Sequence, residues 1–173
     1  MRILCKYLFV FFLLGSSAFA ADYGVVNFKD VLQKSAAFQS FQKQANSNKQ
    51  AIEKALNDES ASLKNTEQSL AQNRNSYSPN DFEKKRADFE NRVKAFRKRF
   101  QDKQRNFENN NADAMKLIED KLQECVAQVA NEKKLDIVYR AGALGFYDKK
   151  RDFSAEVLKL FNKKLPSVTL KKA

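Results

Sequence analysis

The sequence contains no histidine and no tryptophan, and it has only four glycines, two prolines and two cysteines in 173 residues. Without histidine there is no imidazole to act as a general base or metal ligand, and two cysteines cannot build a thiolate cluster. The few glycines form no phosphate-binding loop. Carboxylate pairs such as Glu119 and Asp120 stand at helix-surface spacings among Lys and Arg, which favours exposed ion pairs. We therefore expect a protein that is not an enzyme and that uses no metal and no cofactor.

The first twenty residues have the pattern of a signal peptide. Arg2 and Lys6 precede the apolar run Tyr7–Leu14, and Ala18–Ala20 has the small-x-small form of a cleavage site. The apolar run is shorter than the roughly 20 residues that a membrane span needs. We therefore predict a secreted chain that begins at Ala21, rather than a chain held by an uncleaved anchor.

The two cysteines limit the redox chemistry of the chain. Cys5 lies before the apolar run, whereas a lipoprotein needs its cysteine directly after that run. Cys125 is then the single cysteine of the mature chain, so no intramolecular disulfide can form. Because Cys125 falls in the apolar register of Leu122 and Val129, we predict a buried and unreactive thiol.

Positive charge is concentrated in one part of the chain. The formal net charge is +11, and it falls to +9 without residues 1–20, which carry two positive and no negative charges. From residue 79 to 107 there are ten Lys/Arg against five Asp/Glu, whereas from 108 to 134 there are four against six. Such a stretch attracts nucleic acid, anionic lipid or acidic protein, and the signal peptide argues against nucleic acid as a physiological partner. The candidate anion-binding residues are Lys84, Lys85, Arg86, Arg92, Lys94, Arg97, Lys98, Arg99, Lys103 and Arg105.

Two long amphipathic helices are predicted, one from Val31 to about residue 72 and one from Ser78 to Val129. Pro79 and Asp81, directly after Ser78, are typical of a helix start, and the short polar connection at residues 73–79 predicts an antiparallel hairpin. At 1.5 Å per residue the second helix would be roughly 75 Å long, so we expect an arm. Its inner part, from about Ala114, is more apolar, and we expect it to be buried in a compact body at the base of the arm.

Phenylalanines recur along the second helix at heptad spacing. One series is Phe82, Phe89 and Phe96, and an interleaved series is Val93, Phe100, Phe107 and Ala114. We interpret this stripe as the seam of the hairpin. The alternative is that some rings are partly exposed and bind apolar partners.

A small β-containing body is predicted from the two ends of the mature chain. Tyr23–Phe28 has the composition of a strand, as do Leu135–Tyr139 and, after a glycine-containing turn, Leu144–Tyr147. Ser154 is expected to cap a last helix, and Pro166 to end it. The fold class is therefore α+β, a small β-rich oligomerisation body with a long antiparallel α-helical hairpin arm.

The predicted bounds assign residues 21–37 and 113–165 to the body, 38–112 to the arm and 166–173 to a basic, loose tail. A body of this size is marginal on its own, and long arms bury little surface, so we expect an oligomer in which bodies share strands or cores. The candidate oligomerisation residues are Val25, Val26, Phe28, Ile137, Val138, Tyr139, Phe146, Val157 and Leu158.

The two ends of the mature chain resemble the Skp/OmpH family of periplasmic chaperones. The resemblance lies in Val25–Phe38, a valine-rich strand that leads into an amphipathic helix, and in Leu135–Lys164, which contains Asp152-Phe153-Ser154 followed by Val157-Leu158. Between these segments the arms match only in charge and apolar pattern. No client-contacting or lipopolysaccharide-contacting residue can therefore be transferred individually.

The resemblance implies a periplasmic homotrimer whose arms enclose a cavity. Such a protein would act without ATP as a holdase, binding unfolded outer membrane proteins and preventing their aggregation. The alternative function is that of an envelope-associated structural coiled coil that binds anionic lipid or lipopolysaccharide through its basic arm. A nucleic-acid-binding protein would require an uncleaved precursor that stays in the cytosol.

Overall fold

The structure, a computed structural model, describes residues 21–171. The predicted signal peptide lies outside the described residues. The elements are strand β1 (Tyr23–Val26), helices α1 (Phe28–Lys34), α2 (Ala36–Gln72) and α3 (Pro79–Glu132), strand β2 (Ile137–Arg140) and helix α4 (Ser154–Lys164). Short 3-10 turns occupy Arg74–Ser76, Ala141–Ala143 and Lys149–Arg151. The α+β class with a long helical arm is confirmed.

The first predicted helix is divided at Ser35. The Ser35 hydroxyl donates to the carbonyl of Leu32 at 2.7 Å and accepts from the N–H of Phe38 at 3.2 Å, so one buried side chain ends α1 and starts α2. Asp30 lies in the first turn of α1. The side chain of Asn27 caps α1, because its Oδ1 accepts from the N–H of Asp30 at 3.1 Å.

Helices α2 and α3 form the predicted antiparallel hairpin. The Ser78 hydroxyl accepts from the N–H of Asp81 at 3.2 Å, and Pro79 takes the first helical position, as the sequence predicts. Helix α3 has 54 residues and α2 has 37. The additional turns of α3 run into the body, where Ile118 and Cys125 are fully buried. The predicted burial of Cys125 is confirmed, and this burial raises the pKa of its thiol.

The sheet has two parallel strands, with Tyr23 opposite Ile137 and Val26 opposite Arg140. The whole hairpin is the connection between them. The predicted third strand at Leu144–Tyr147 is wrong. The free edge of β1 is occupied by a different segment, since the N–H of Phe153 donates to the carbonyl of Val25 at 3.0 Å. Leu144–Tyr147 pairs with neither β1 nor β2 in the described chain, and a 3-10 turn at Ala141–Ala143 separates it from β2.

The core lies where the two ends of the chain meet the inner turns of α3. Its fully buried side chains include Val26 from β1, Val31 from α1, Ile118 from α3, and Val157 and Phe161 from α4. Asp152 secures this junction, because its carboxylate accepts from the Ser154 hydroxyl at 2.5 Å and from the Tyr147 hydroxyl at 3.0 Å. The Ser154 hydroxyl in turn accepts from the N–H of Asn27 at 2.8 Å.

The C-terminal tail departs from the prediction. Val168 and Leu170 are only 5% and 8% exposed, and they pack at the base of the hairpin. Residues 168–171 are therefore docked, because alternate apolar side chains give the segment a buried face. Residues 172 and 173 lie outside the described part of the chain.

Candidate functional site

All ten basic residues predicted to bind anions lie on α3, between the tip of the hairpin and its middle. The structure does not bring them together as one surface. Some are held by side chains of the hairpin itself, and others extend from its outer face without an acidic partner.

The held residues include three that bridge to other parts of the hairpin. Arg92 donates to the hydroxyls of Thr66 and Ser62 on α2, at 3.3 and 3.4 Å. Arg99 pairs with Glu59 across the hairpin. The Lys85 ammonium stands 5.1 Å from the centre of the Tyr77 ring, which gives a cation–π contact.

Other held residues pair within α3. Arg86 contacts Glu83 and Glu90 at 3.3 and 3.5 Å, and Lys98 contacts Asp102 at 2.9 Å. The hydrogen bond from Lys98 lowers the pKa of Asp102, so this carboxylate keeps its negative charge. Exposed pairs at such spacing contribute little stability, but they reduce the positive field around these positions. Lys103 also makes an interaction within the chain.

Four of the ten residues form no ion pair within residues 21–171: Lys84, Lys94, Arg97 and Arg105. Helical spacing places Lys94 and Arg105 on the face turned away from the Phe stripe, with Arg97 beside them. All four side chains are exposed. We call these four residues the cationic face. It can attract an anionic partner at long range because none of the four makes an ion pair within residues 21–171, although the charge of Arg105 helps to lower the pKa of Asp102.

The Phe stripe faces α2, but it is not fully covered. Phe82, Phe89, Phe96 and Phe107 are partly buried, and Phe100 is 43% exposed. Leu63 is the arm residue of α2 that is buried between the helices. Serine, asparagine and lysine elsewhere on α2 provide few apolar groups to cover the rings. Each ring therefore has one part packed in the seam and another part exposed to solvent.

Two clefts follow this incomplete seam. One, of about 750 Å³, lies near the tip, between Ser62 and Thr66 on α2 and Lys85, Phe89 and Arg92 on α3. The other, of about 310 Å³, lies nearer the body and is mainly apolar. It is lined by Lys49, Ile52, Glu53, Leu56, Phe100, Gln104, Phe107 and Glu108.

The residues predicted for oligomerisation divide between core and surface. Val25, Val26 and Val157 are fully buried within one chain, and Phe28, Val138 and Leu158 are partly buried. Ile137, Tyr139 and Phe146 are exposed, and Phe146 has 91% of its surface open. The three fully buried valines therefore cannot contact another subunit unless the core opens.

A sequence model of the family described as outer membrane protein (OmpH-like) matches residues 22–161. The chain belongs to this OmpH-like family. A crystal structure of a candidate outer membrane chaperone (OmpH-like) from Caulobacter crescentus has the same fold, with a TM-score of 0.79 at 14% sequence identity. The similarity covers 88% of this chain and 90% of that one. No curated protein matches the sequence.

Two kinds of feature, a membrane-spanning helix and a cluster of metal ligands, are absent from residues 21–171. None of the helices in residues 21–171 is long and apolar enough to cross a membrane. The same residues bring together no group of three or more potential metal ligands from His, Cys, Asp and Glu.

Sequence reasoning missed the residues of α2 that hold the basic side chains, namely Ser62 and Thr66 for Arg92 and Glu59 for Arg99. A heptad alignment of the two predicted helices could have placed Glu59 opposite Arg99. Serine and threonine carried no such signal, because they are common on any polar helix surface.

Proposed function

We propose that this OmpH-like protein is an ATP-independent holdase that binds unfolded outer membrane proteins in the periplasm and prevents their aggregation. The observation that carries the proposal is the combination on one arm of an unpaired cationic face and an incompletely covered Phe stripe. Lys94 and Arg97 extend into solvent without carboxylate partners, while Phe100, three residues beyond Arg97, is 43% exposed.

This combination suits a partner that has no fixed structure. Long-range attraction by the cationic face accelerates the first encounter with an acidic chain. The clefts along the Phe stripe then provide several weak apolar contacts, none of which requires a defined shape. A chain with exposed apolar segments is held at many points at once, so it cannot associate with a second copy of itself.

The active form in this proposal is a periplasmic homotrimer. Ile137, Tyr139 and Phe146 present exposed apolar surface on the body, and that surface is available for contact between subunits. Three arms extending from one body would enclose a cavity in which the client is shielded.

The proposal is tested by diluting a urea-denatured outer membrane barrel protein into buffer with a molar excess of the mature protein. We expect light scattering from aggregation to be suppressed without ATP. Undiminished scattering would overturn the holdase function. Flotation with vesicles of anionic lipid addresses the second candidate function, which the cationic face also supports. Tight flotation without any effect on barrel aggregation would favour an envelope-binding coiled coil.

A further inference from the structure

The tail lies extended across the base of the hairpin with a two-residue alternation. The side chains of Val168 and Leu170 are buried, whereas Thr169 and Lys171 are exposed. This alternation is typical of a strand that rests on an apolar surface, although the tail pairs with no strand. The surface beneath it belongs to the two arm helices.

Gln44 of α2 takes the place of a neighbouring strand. Its Nε2 donates to the carbonyl of Val168 at 2.6 Å, and its Oε1 accepts from the N–H of Leu170 at 3.0 Å. One side-chain amide thus satisfies a carbonyl and an N–H two residues apart, as the backbone of an adjacent strand would. The orientation of Gln44 is supported by Ser40, whose hydroxyl accepts from the same Nε2 at 3.0 Å.

Side-chain amides from both arm helices continue this arrangement. Asn110 on α3 and Asn48 on α2 donate to the carbonyl of Lys171, at 3.3 and 3.5 Å. These bonds, like those of Gln44, are made to backbone atoms of the tail and not to its side chains. Only the side chains at positions 168 and 170, which are buried, must be apolar for the tail to fit.

The tail does not fill the space available to it. A cavity of about 180 Å³ remains beside it, lined by Asn110, Asp113, Ala114, Leu117, Val168, Thr169 and Lys171. Leu117 borders this cavity and is itself half exposed. The site can therefore hold a larger side chain than those of the tail. We call the surface formed by Gln44, Asn48, Asn110, Ala114 and Leu117 the tail groove.

We propose that the tail groove is a binding site for an extended segment of an unfolded protein with apolar residues at alternate positions. In the free protein the tail occupies the groove as an internal ligand that such a segment displaces. The inference rests on the proposed function, since a client of a holdase supplies such segments. Recognition through the backbone suits clients of unrelated sequence, because it requires only an extended chain and two apolar side chains.

The groove is chemically distinct from the cationic face. Among the α3 residues that line the cavity beside the tail, Asp113 is acidic and none is basic, since Lys171 belongs to the tail. An anionic ligand would therefore meet no favourable charge there. The site lies at the base of the arm, so a client held by the cationic face nearer the tip would reach the groove along the same hairpin.

Hydrogen exchange of the unmodified protein tests the displacement directly. The N–H of Leu170 is held by Gln44 and should exchange slowly in the free protein. Adding a urea-diluted barrel protein should accelerate exchange at Leu170 several-fold. The N–H of Gln39, which donates to the carbonyl of Ser35 at 3.1 Å within α2, is the matched control and should not change.

A peptide with the sequence of residues 166–173 carrying a fluorescent label tests the groove itself. Leu170→Asp should release the tail from the tail groove of the full chain. The variant should then bind the labelled peptide at least tenfold more tightly than the wild type does. Thr169→Asp adds the same charge at an exposed position and should leave affinity low. Adding Gln44→Ala to Leu170→Asp should abolish the gain, and melting curves verify that each variant is folded.

The outcomes separate this inference from the proposed function. Suppressed aggregation together with unchanged exchange at Leu170 would overturn the tail groove and leave the holdase intact. Peptide binding to Leu170→Asp without competition from the barrel protein would also overturn it, because the groove would then be an internal docking site only. Unsuppressed aggregation would overturn the holdase itself, and with it the client that the groove is proposed to bind.

Discussion

Gly24 of β1 lies against the ring of Phe153 so closely that a Cβ at position 24 would stand 2.5 Å from the Cε1 atom of that ring. The same Cβ would stand 2.5 Å from Cδ1 of Leu135. Phe153 is almost fully buried and its N–H is bonded to Val25, so the ring has little freedom to move away. The glycine is needed here for a close approach between strand and core.

We predict that Gly24→Ala destabilises the body by about 1–3 kcal/mol, the usual cost of overpacking a filled core. Urea unfolding followed by circular dichroism measures the change. Gly142→Ala is the matched control, because nothing lies within 4 Å of a Cβ built at that position. Equal stability of the two variants would contradict the prediction, because it would show that Phe153 and Leu135 can move enough to make room for the added methyl group.

Asp152 should make the body sensitive to acid. Partial burial acts to raise its pKa, but hydrogen bonds from the hydroxyl and N–H of Ser154 and from the Tyr147 hydroxyl outweigh it, and the pKa is lowered from 3.8. A carboxylate with a lowered pKa stabilises the fold above its unfolded value of 3.8 and loses that contribution as the pH falls through the folded value.

Asp152→Asn should therefore lower the melting temperature clearly at neutral pH, and the difference from the wild type should shrink as the pH falls below 3.8. Melting curves from pH 7 to pH 2 provide the measurement. Asp58→Asn, at an exposed position on the arm, serves as a control and should change little at any pH. A difference in melting temperature that persists unchanged in acid would mean that the charge of the Asp152 carboxylate does not account for its stabilising effect.

The cationic face should govern the capture of acidic clients. The double variant Lys94→Glu and Arg97→Glu removes residues that have no internal partner, so we expect client affinity to fall several-fold at low salt. The difference should vanish near 1 M salt, where the Debye length is about 3 Å.

The matched control for this reversal is Lys116→Glu with Lys121→Glu, which makes the same change of charge on the same helix. Both lysines are paired with acidic neighbours, at 2.8 and 2.6 Å, and lie nearer the body. Titration with an unfolded barrel protein at several salt concentrations measures the client affinity of the two double variants. Equal losses in both variants would assign the effect to net charge rather than to the cationic face.

Phe146 should matter for assembly and not for the fold of one chain. Because 91% of its surface is exposed, Phe146→Ser removes almost no packing within the chain. In solution we expect the mass measured by multi-angle light scattering to fall from three chains to one, with helicity retained. Lys149→Ser, at an exposed position three residues away, should leave the trimer intact. A trimer that survives Phe146→Ser would exclude this loop from the interface.

The sequence by itself determined the elements whose causes are local. The Ser78–Pro79 start of α3 follows from capping and fixed backbone geometry, and the hairpin follows from heptad-spaced apolar residues on two helices with a short polar connection. The burial of Cys125 follows from its register. Each of these features is decided by residues within one or two helical turns of one another.

Tertiary structure decided the features that depend on which surfaces meet. Leu144–Tyr147 has a strand-like composition, yet it pairs with neither strand of the described chain. The outer edge of β1 is bonded instead by Phe153, a residue far from β1 in sequence. Val168 and Leu170 have buried positions because two helices present a groove with Gln44 at its side. The ten basic residues look alike in sequence, and the positions of Glu59, Ser62 and Thr66 on the opposite helix decide that Arg92 and Arg99 are held across the hairpin.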